Sequence, residues 1–313
     1  MSRVAAVDLG TNSTRLVVAD VDGDRLEELT RRLTITRLGE GVDRRRRLLP
    51  LPIARVRNCL SGYRQELEAF GAERTLCIAT SSVRDAENGE AFLGEIEWSY
   101  GFTTRLLSGT EEAAMMIRGV TAGRPPLDDV LVVDIGGGST ELVIAADGEV
   151  ASATSLDIGC VRITERFLGS DPPSRPELAG ASAYVRSLLP PLEAAAAIGV
   201  AGTVTTLATI DLGDDEYDPE RTHGHCLSLA SVDEQLERLA AMTTEDRVAL
   251  GIEPGRASVI VAGVIVLREV MTTYGLAEIE ASERDVLHGA AFAAAELPEP
   301  EEGAAPPGAY TCC

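Results

Sequence analysis

Two stretches of this chain set a carboxylate, a glycine turn and hydroxyls side by side: Asp8-Leu-Gly10-Thr11-Asn12-Ser13-Thr14 and Asp134-Ile-Gly136-Gly137-Gly138-Ser139-Thr140-Glu141. A glycine turn lets several backbone N–H groups face one concavity, which suits the oxygens of a phosphate. Thr11, Asn12 and the three glycines would supply that backbone, and Ser13, Thr14, Ser139 and Thr140 could add hydroxyl donors. Asp8 and Asp134 end apolar runs, where each could hold a hydrated Mg²⁺ against the phosphate, and Glu141 offers a further contact to metal or water. One such turn alone reads as an ordinary bend. A third, Ala201-Gly202-Thr203-Val-Thr-Thr-Leu, opens a helix, and a helix N-terminus favours anions. Three in one chain favour phosphate binding.

The first two stretches align without gaps 126 residues apart. Asp8, Gly10, Ser13, Thr14, Leu16, Val17 and Ala19 recur as Asp134, Gly136, Ser139, Thr140, Leu142, Val143 and Ala145. This is an internal duplication at domain scale. Each copy reads as a hairpin hinged on the glycine turn, followed by further strands and helices. Residues 25–36 read as a strand or two, 50–71 as a helix, 75–79 as a strand, 87–100 as a helix and 103–107 as a strand. Ser108 caps a helix that runs to about 120. In the second half, 150–155 and 198–201 read as strands, with helices over 160–168, 177–197, 232–242, 256–274 and 283–296. Strands alternating with helices argue for α/β lobes. The linker at 122–129 places domains at 1–123 and 124–297, before a tail at 298–313 expected to be disordered.

The chain has 28 basic and 50 acidic residues, a net charge of −22, which argues against a nucleic-acid partner. All 28 basic residues are arginine, so Schiff-base, P-loop-lysine and kinase-lysine chemistry is excluded. A polyanionic substrate would have to be neutralised by arginine, backbone N–H groups and metal cations. Arg44 to Arg47 form a run that could guide a polyphosphate chain or lie in a solvated loop. The six cysteines form no C-x-x-C pair and read as free thiols, and His223-Gly-His225-Cys226 reads as a structural loop rather than a metal site. No apolar run is long enough to span a membrane, and no secretory leader precedes Asp8, so a cytoplasmic location is expected.

The same residues carry a family resemblance. D-L-G-T-N-S, D-I-G-G-G-S-T-E and A-G-T-V-T-T-L-A are similar to the phosphate and nucleotide-side motifs of the actin/sugar-kinase/Hsp70 superfamily. Thr80-Ser-Ser-Val-Arg84-Asp-Ala, Leu107-Ser-Gly-Thr-Glu-Glu112-Ala, Leu156-Asp-Ile-Gly-Cys-Val-Arg162 and Ala281-Ser-Glu-Arg-Asp-Val-Leu-His-Gly289 resemble the exopolyphosphatase and guanosine pentaphosphate phosphohydrolase family. The resemblance covers roughly residues 3 to 295. It implies an α/β fold of two actin-like (ribonuclease H-like) lobes with the active site in a cleft between them. It also implies that Glu112 is the base that deprotonates the attacking water, and that Arg84 lies near the site, although a salt bridge with Asp85 or Glu87 would also explain that arginine. Leu287-His288 departs from the Arg-Glu common in that family, and the short form lacks the further domains of longer members.

The implied activity is exopolyphosphatase, assisted by Mg²⁺. Hydrolysis of pppGpp to ppGpp, an ATP-binding actin-like kinase and a non-catalytic polyphosphate sensor remain as alternatives. Expected partners are polyphosphate or pppGpp, with neither nucleic acid nor membrane and with a homodimer left open.

Overall fold

The hairpin expected around the first glycine turn forms from β1 (Ser2–Leu9) and β2 (Ser13–Asp22), paired antiparallel with Asp8 opposite Arg15. The computed structural model describes residues 1–214 and 217–298. Along the chain there follow β3 (Arg25–Ile35), α1 (Val42–Arg45), α2 (Pro50–Phe70), β4 (Arg74–Ala79), α3 (Ser81–Arg84), α4 (Gly89–Tyr100), β5 (Thr103–Leu106) and α5 (Gly109–Thr121). The first sheet has the order β3-β2-β1-β4-β5, with β1, β4 and β5 parallel. β1 and β4 are buried apolar runs, as strands covered on both faces must be. Tyr63, Leu60 and Val56 of α2 join Val7, Leu16 and Cys77 in the core of this unit.

The duplicated half repeats the plan with β6 (Val130–Ile135), β7 (Thr140–Ala146), β8 (Glu149–Leu156), α6 (Cys160–Phe167), α7 (Arg175–Leu188), β9 (Ala196–Val200) and α8 (Ala201–Asp211). Then come α9 (Pro219–Thr222), β10 (Cys226–Ser228), α10 (Leu229–Ala240), α11 (Thr244–Ala249), α12 (Pro254–Ala257), α13 (Ile260–Thr273), β11 (Glu278–Ala281) and α14 (Val286–Ala295). The second sheet runs β10-β11-β9-β6-β7-β8, so β8-β7-β6-β9 repeats β3-β2-β1-β4. α13 is apolar nearly all round and buried, and forms the centre of the second core with Val133, Val204 and Leu207.

The helix expected over 177–197 stops at Leu188, since Pro190 and Pro191 cannot continue it. The helix expected over 256–274 is two pieces, α12 and α13, and the short strands β10 and β11 leave no periodic trace.

The chain divides into two compact units, residues 1–125 together with 285–298, and residues 126–284. The break falls at the expected linker, but the assignment of 124–297 to one lobe needs correction, because α14 belongs to the first unit. It packs on α5 and on β1, β2 and β4. An added Cβ at Gly289 would overlap the Met115 carbonyl, so α5 and α14 meet backbone to backbone. A helix at the end of the sequence completes a sheet made at its start, and no local pattern announces that. The expected tail lies, but for Pro298, outside the described residues. Among the described residues no helix is long and apolar enough to cross a membrane.

Candidate active site

Both glycine turns close with the same bond, Gly10 N–H to the Ser13 carbonyl at 3.0 Å and Gly136 N–H to the Ser139 carbonyl at 3.0 Å. Each is backed by the segment that follows its third strand. In the first unit the Thr11 carbonyl accepts from Gly39 N–H at 2.8 Å, and the Asn12 carbonyl from Thr36 and Arg37 N–H at 3.1 and 2.9 Å. In the second unit the Gly136 carbonyl accepts from Cys160 N–H at 2.9 Å and the Gly137 carbonyl from Val161 N–H at 2.9 Å. The Gly138 carbonyl takes the buried Arg162 guanidinium at 2.7 Å. These bonds also satisfy N–H groups that open α6 and would otherwise lack partners.

The consequence is directional. In a trans peptide the carbonyl of one residue and the N–H of the next point opposite ways. With the carbonyls of 136, 137 and 138 turned to α6, the N–H groups of Gly137, Gly138 and Ser139 point away from it. Those of Asn12 and Ser13 do likewise in the first unit. Each turn thus presents a row of aligned donors.

Thr14 and Thr140 need correcting as phosphate donors. Both hydroxyls are fully buried, one bonded to the Thr36 hydroxyl at 2.9 Å and the other donating its proton to the Ile158 carbonyl at 2.7 Å. They fasten the turns to their backing. Thr11 similarly bonds Ser81 at 3.0 Å, tying the first turn to α3.

The carboxylates separate by unit. Asp8 is buried opposite Arg15, which binds Asp8 Oδ2 at 2.7 Å and also holds Asp285. Burial pushes the Asp8 carboxyl up, and Arg15 offsets this in part. Its other oxygen, Oδ1, is buried with no hydrogen-bond partner among the described residues. At the duplicated positions, Asp134 lies opposite Glu141 in register, so two buried carboxylates share one face. Ser155 donates to Glu141 at 2.8 Å. Two hard carboxylates side by side, with waters and substrate phosphate completing the shell, match how Mg²⁺ is commonly bound, and the buried, unpartnered Asp8 oxygen suits the same kind of ion. Among the described residues no three His, Cys, Asp or Glu side chains cluster closely enough to hold a metal themselves.

α5 resolves the glutamate pair. Ser108 caps it, and Glu111 completes the capping box, accepting from Ser108 N–H at 2.9 Å and from Arg105 at 2.7 Å. Those bonds from Ser108, with Arg105, hold the Glu111 carboxyl down to about 2. Glu112, one residue on, is buried and paired with Arg84 at 3.2 Å, while Arg84 also donates to the Leu107 carbonyl at 2.7 Å. Arg84 therefore pairs with Glu112, and Asp85 faces Arg46 at 3.8 Å. Glu111→Ala should lower the melting temperature by a few degrees through the lost cap and leave turnover unchanged. A turnover loss equal to that of a Glu112 variant would undo this division of labour.

At the third turn Gly202 and Thr203 open α8, which no side chain among the described residues caps, and Ala201 before them is left-handed, with φ 66°. Arg256 reaches across from α12 to the Gly202 carbonyl at 2.7 Å and the Thr206 hydroxyl at 2.8 Å. Thr203 is buried against Gly263 of α13. His225 bonds Asp211 at 2.7 Å, and His223 accepts from Glu283 N–H at 3.3 Å.

Sequence reasoning missed Arg15, Arg162 and Arg256. Arg15 carried a signal, since it aligns with Glu141 in the duplication. His288 is a further member of the first unit's charge chain, bonded to Glu28 at 2.8 Å and 3.6 Å from Asp285. Burial opposes its cation, but Asp285 and Glu28 outweigh that, with Arg31 opposing, and raise its pKa. A raised folded value stabilises below the ordinary histidine pKa of about 6.5, and the contribution fades as pH climbs through the raised value. The melting-temperature deficit of His288→Gln should therefore be largest at mildly acidic pH and shrink toward alkaline pH. A deficit that grows with pH would contradict this reading.

Two duplicated α/β units, each with a carboxylate-bearing hairpin bent around glycine, make this an actin-like two-lobe protein. The chain belongs to the Ppx/GppA phosphatase family, whose model matches residues 16–296. It is 39% identical to Exopolyphosphatase 2 of Mycobacterium tuberculosis, over 94% of this chain and 99% of that one. It is 32% identical to a guanosine-5'-triphosphate,3'-diphosphate pyrophosphatase of Vibrio vulnificus, over 88% of this chain and 55% of that longer relative. The structure of an exopolyphosphatase from Cytophaga hutchinsonii is similar with a TM-score of 0.85 at 26% identity, covering 92% of this chain and 96% of that one. The chain is thus an exopolyphosphatase homologue within a family of phosphoanhydride hydrolases, with the pppGpp-directed relative at lower identity.

Proposed function

We propose that this protein is a cytoplasmic exopolyphosphatase that hydrolyses the terminal phosphoanhydride of inorganic polyphosphate and releases orthophosphate. The observation that carries the reading is the split between adjacent glutamates, with Glu111 spent on the helix cap and Glu112 buried beside Arg84. Glu112 takes a proton from water as its oxygen attacks the terminal phosphorus. The anhydride bond breaks, and the electron pair leaves on the shortened chain. Arg84 orients the Glu112 carboxylate. In the second unit the aligned N–H groups of Gly137, Gly138 and Ser139 and the opening of α8 at Gly202 and Thr203 suit phosphate oxygens, and in the first unit those of Asn12 and Ser13 do the same. Within the second unit Asp134 and Glu141, and within the first unit Asp8, are the carboxylates that would hold Mg²⁺, which would neutralise charge on phosphate oxygens when bound.

Orthophosphate release from polyphosphate, followed across a Mg²⁺ titration, tests the reading. Wild type should release orthophosphate, and Glu141→Gln should need several-fold more Mg²⁺ for half-maximal rate. Wild type inert on polyphosphate at every Mg²⁺ concentration would end it. The relative at 32% identity favours pppGpp as the second substrate, since it presents the same terminal anhydride. The ratio of kcat/KM on the two compounds separates them.

A further inference from the structure

We propose that Arg44, Arg45 and Arg47 form a binding strip for the internal phosphates of a long polyphosphate chain, an inference that rests on the polyphosphate reading above. Four consecutive arginines in a chain of net charge −22 already run against the protein's own field. Most of the other arginines meet an acid or a carbonyl, as Arg3 does Asp20 and Arg57 does Glu95. Arg44, Arg45 and Arg47 are exposed and make no ion pair or hydrogen bond from the guanidinium among the described residues. Of the four, Arg46 lies 3.8 Å from Asp85, and its left-handed φ of 52° ends α1.

The strip is built onto the candidate site rather than hung beside it. Upstream, Gly39 N–H grips the Thr11 carbonyl of the first glycine turn at 2.8 Å. Downstream, Glu87 N–H binds the Arg46 carbonyl at 2.9 Å, and Asn88 accepts from Leu48 N–H at 2.8 Å, next to the segment bearing Arg84. Val42 and Leu48 anchor the two ends in the core. Pinned backbone with unpaired cations on it suits a ligand that repeats its negative charge along its length. A short substrate gripped only at its terminal phosphate would not reach along the strip.

The triple variant Arg44→Gln, Arg45→Gln, Arg47→Gln leaves Arg46, Arg84 and Glu112 in place. Against long-chain polyphosphate its KM should rise about tenfold, and the slope of log KM against log salt should flatten by about two, as expected for three lost phosphate contacts. Its kcat on the long chain and its kcat/KM on tripolyphosphate should match wild type. Equal losses on both substrates, or no change on either, would overturn the strip. Calorimetric titration with long-chain polyphosphate separates this from the activity. Weaker binding by the variant supports the strip even if wild type releases no orthophosphate, and equal binding by the two proteins removes it whatever the activity.

Discussion

Glu112→Gln should lower kcat for orthophosphate release by about 10²- to 10⁴-fold, the usual yield of one positioned proton acceptor. KM should change little, because the amide fills the same space and still accepts from Arg84, so the ground state is gripped as before. The fold should survive for the same reason, with α5 still closed by Ser108 and Glu111. The measurement is steady-state turnover with the melting temperature taken in parallel. Turnover within a few-fold of wild type, in a protein that melts normally, would strip Glu112 of its role. The Glu111→Ala protein is the internal comparison, since it alters the same helix end by loss of the cap and not of the base.

Gly159→Ala should be nearly as damaging for a different reason. Gly159 has ordinary extended backbone, so conformation does not demand glycine there. Space does. An added Cβ would overlap the backbone of Gly137 and Gly138, and backbone cannot swing aside as a side chain can. The second turn must shift, and its row of N–H donors shifts with it. Overpacking of this kind costs about 1–3 kcal/mol, and a misplacement of about an ångström costs about 10²-fold in rate. Urea unfolding and kcat/KM measure the two losses. Gly62→Ala is the control, because outside its own helix turn no described residue lies within 4 Å of its would-be Cβ on α2, and it should gain stability at unchanged rate. Wild-type kcat/KM for Gly159→Ala would show that the turn is not held from behind by this segment.

The two turns were legible because the duplication keeps one offset, 126 residues, through both hairpins. Their backing was not. β2 and β3 are 10 and 11 residues where β7 and β8 are 7 and 8, so the copies slip by six, and Leu38-Gly39 stands 120 residues before its counterpart Ile158-Gly159. A gapless comparison loses the match at that slip, although both glycines pack on a glycine turn, Gly39 against the Thr11 side chain and Gly159 against the Gly137 and Gly138 backbone. Thr14 and Thr140 mislead for a related reason. A hydroxyl beside a phosphate-type turn looks like a donor in sequence, and only the fold shows Thr36 and Ile158 already engaging it. Arg256 is 54 residues from Gly202, and a contact at that range leaves no local periodicity to read. Glu112 stood out from Glu111 only through family resemblance. The cap geometry now gives an independent physical reason to treat the neighbours differently.

The order in which the ribosome delivers these parts differs from the order in which they can finish folding. Residues 126–284 emerge as one uninterrupted stretch and can close their own core as soon as β11 is out. The unit begun earlier must wait, with the inner surfaces of β1, β2 and α5 unsealed, until α14 has been synthesised. A chain truncated after residue 284 should therefore expose the older half to protease and chaperone while the younger half resists, and a chain extended through α14 should reverse that.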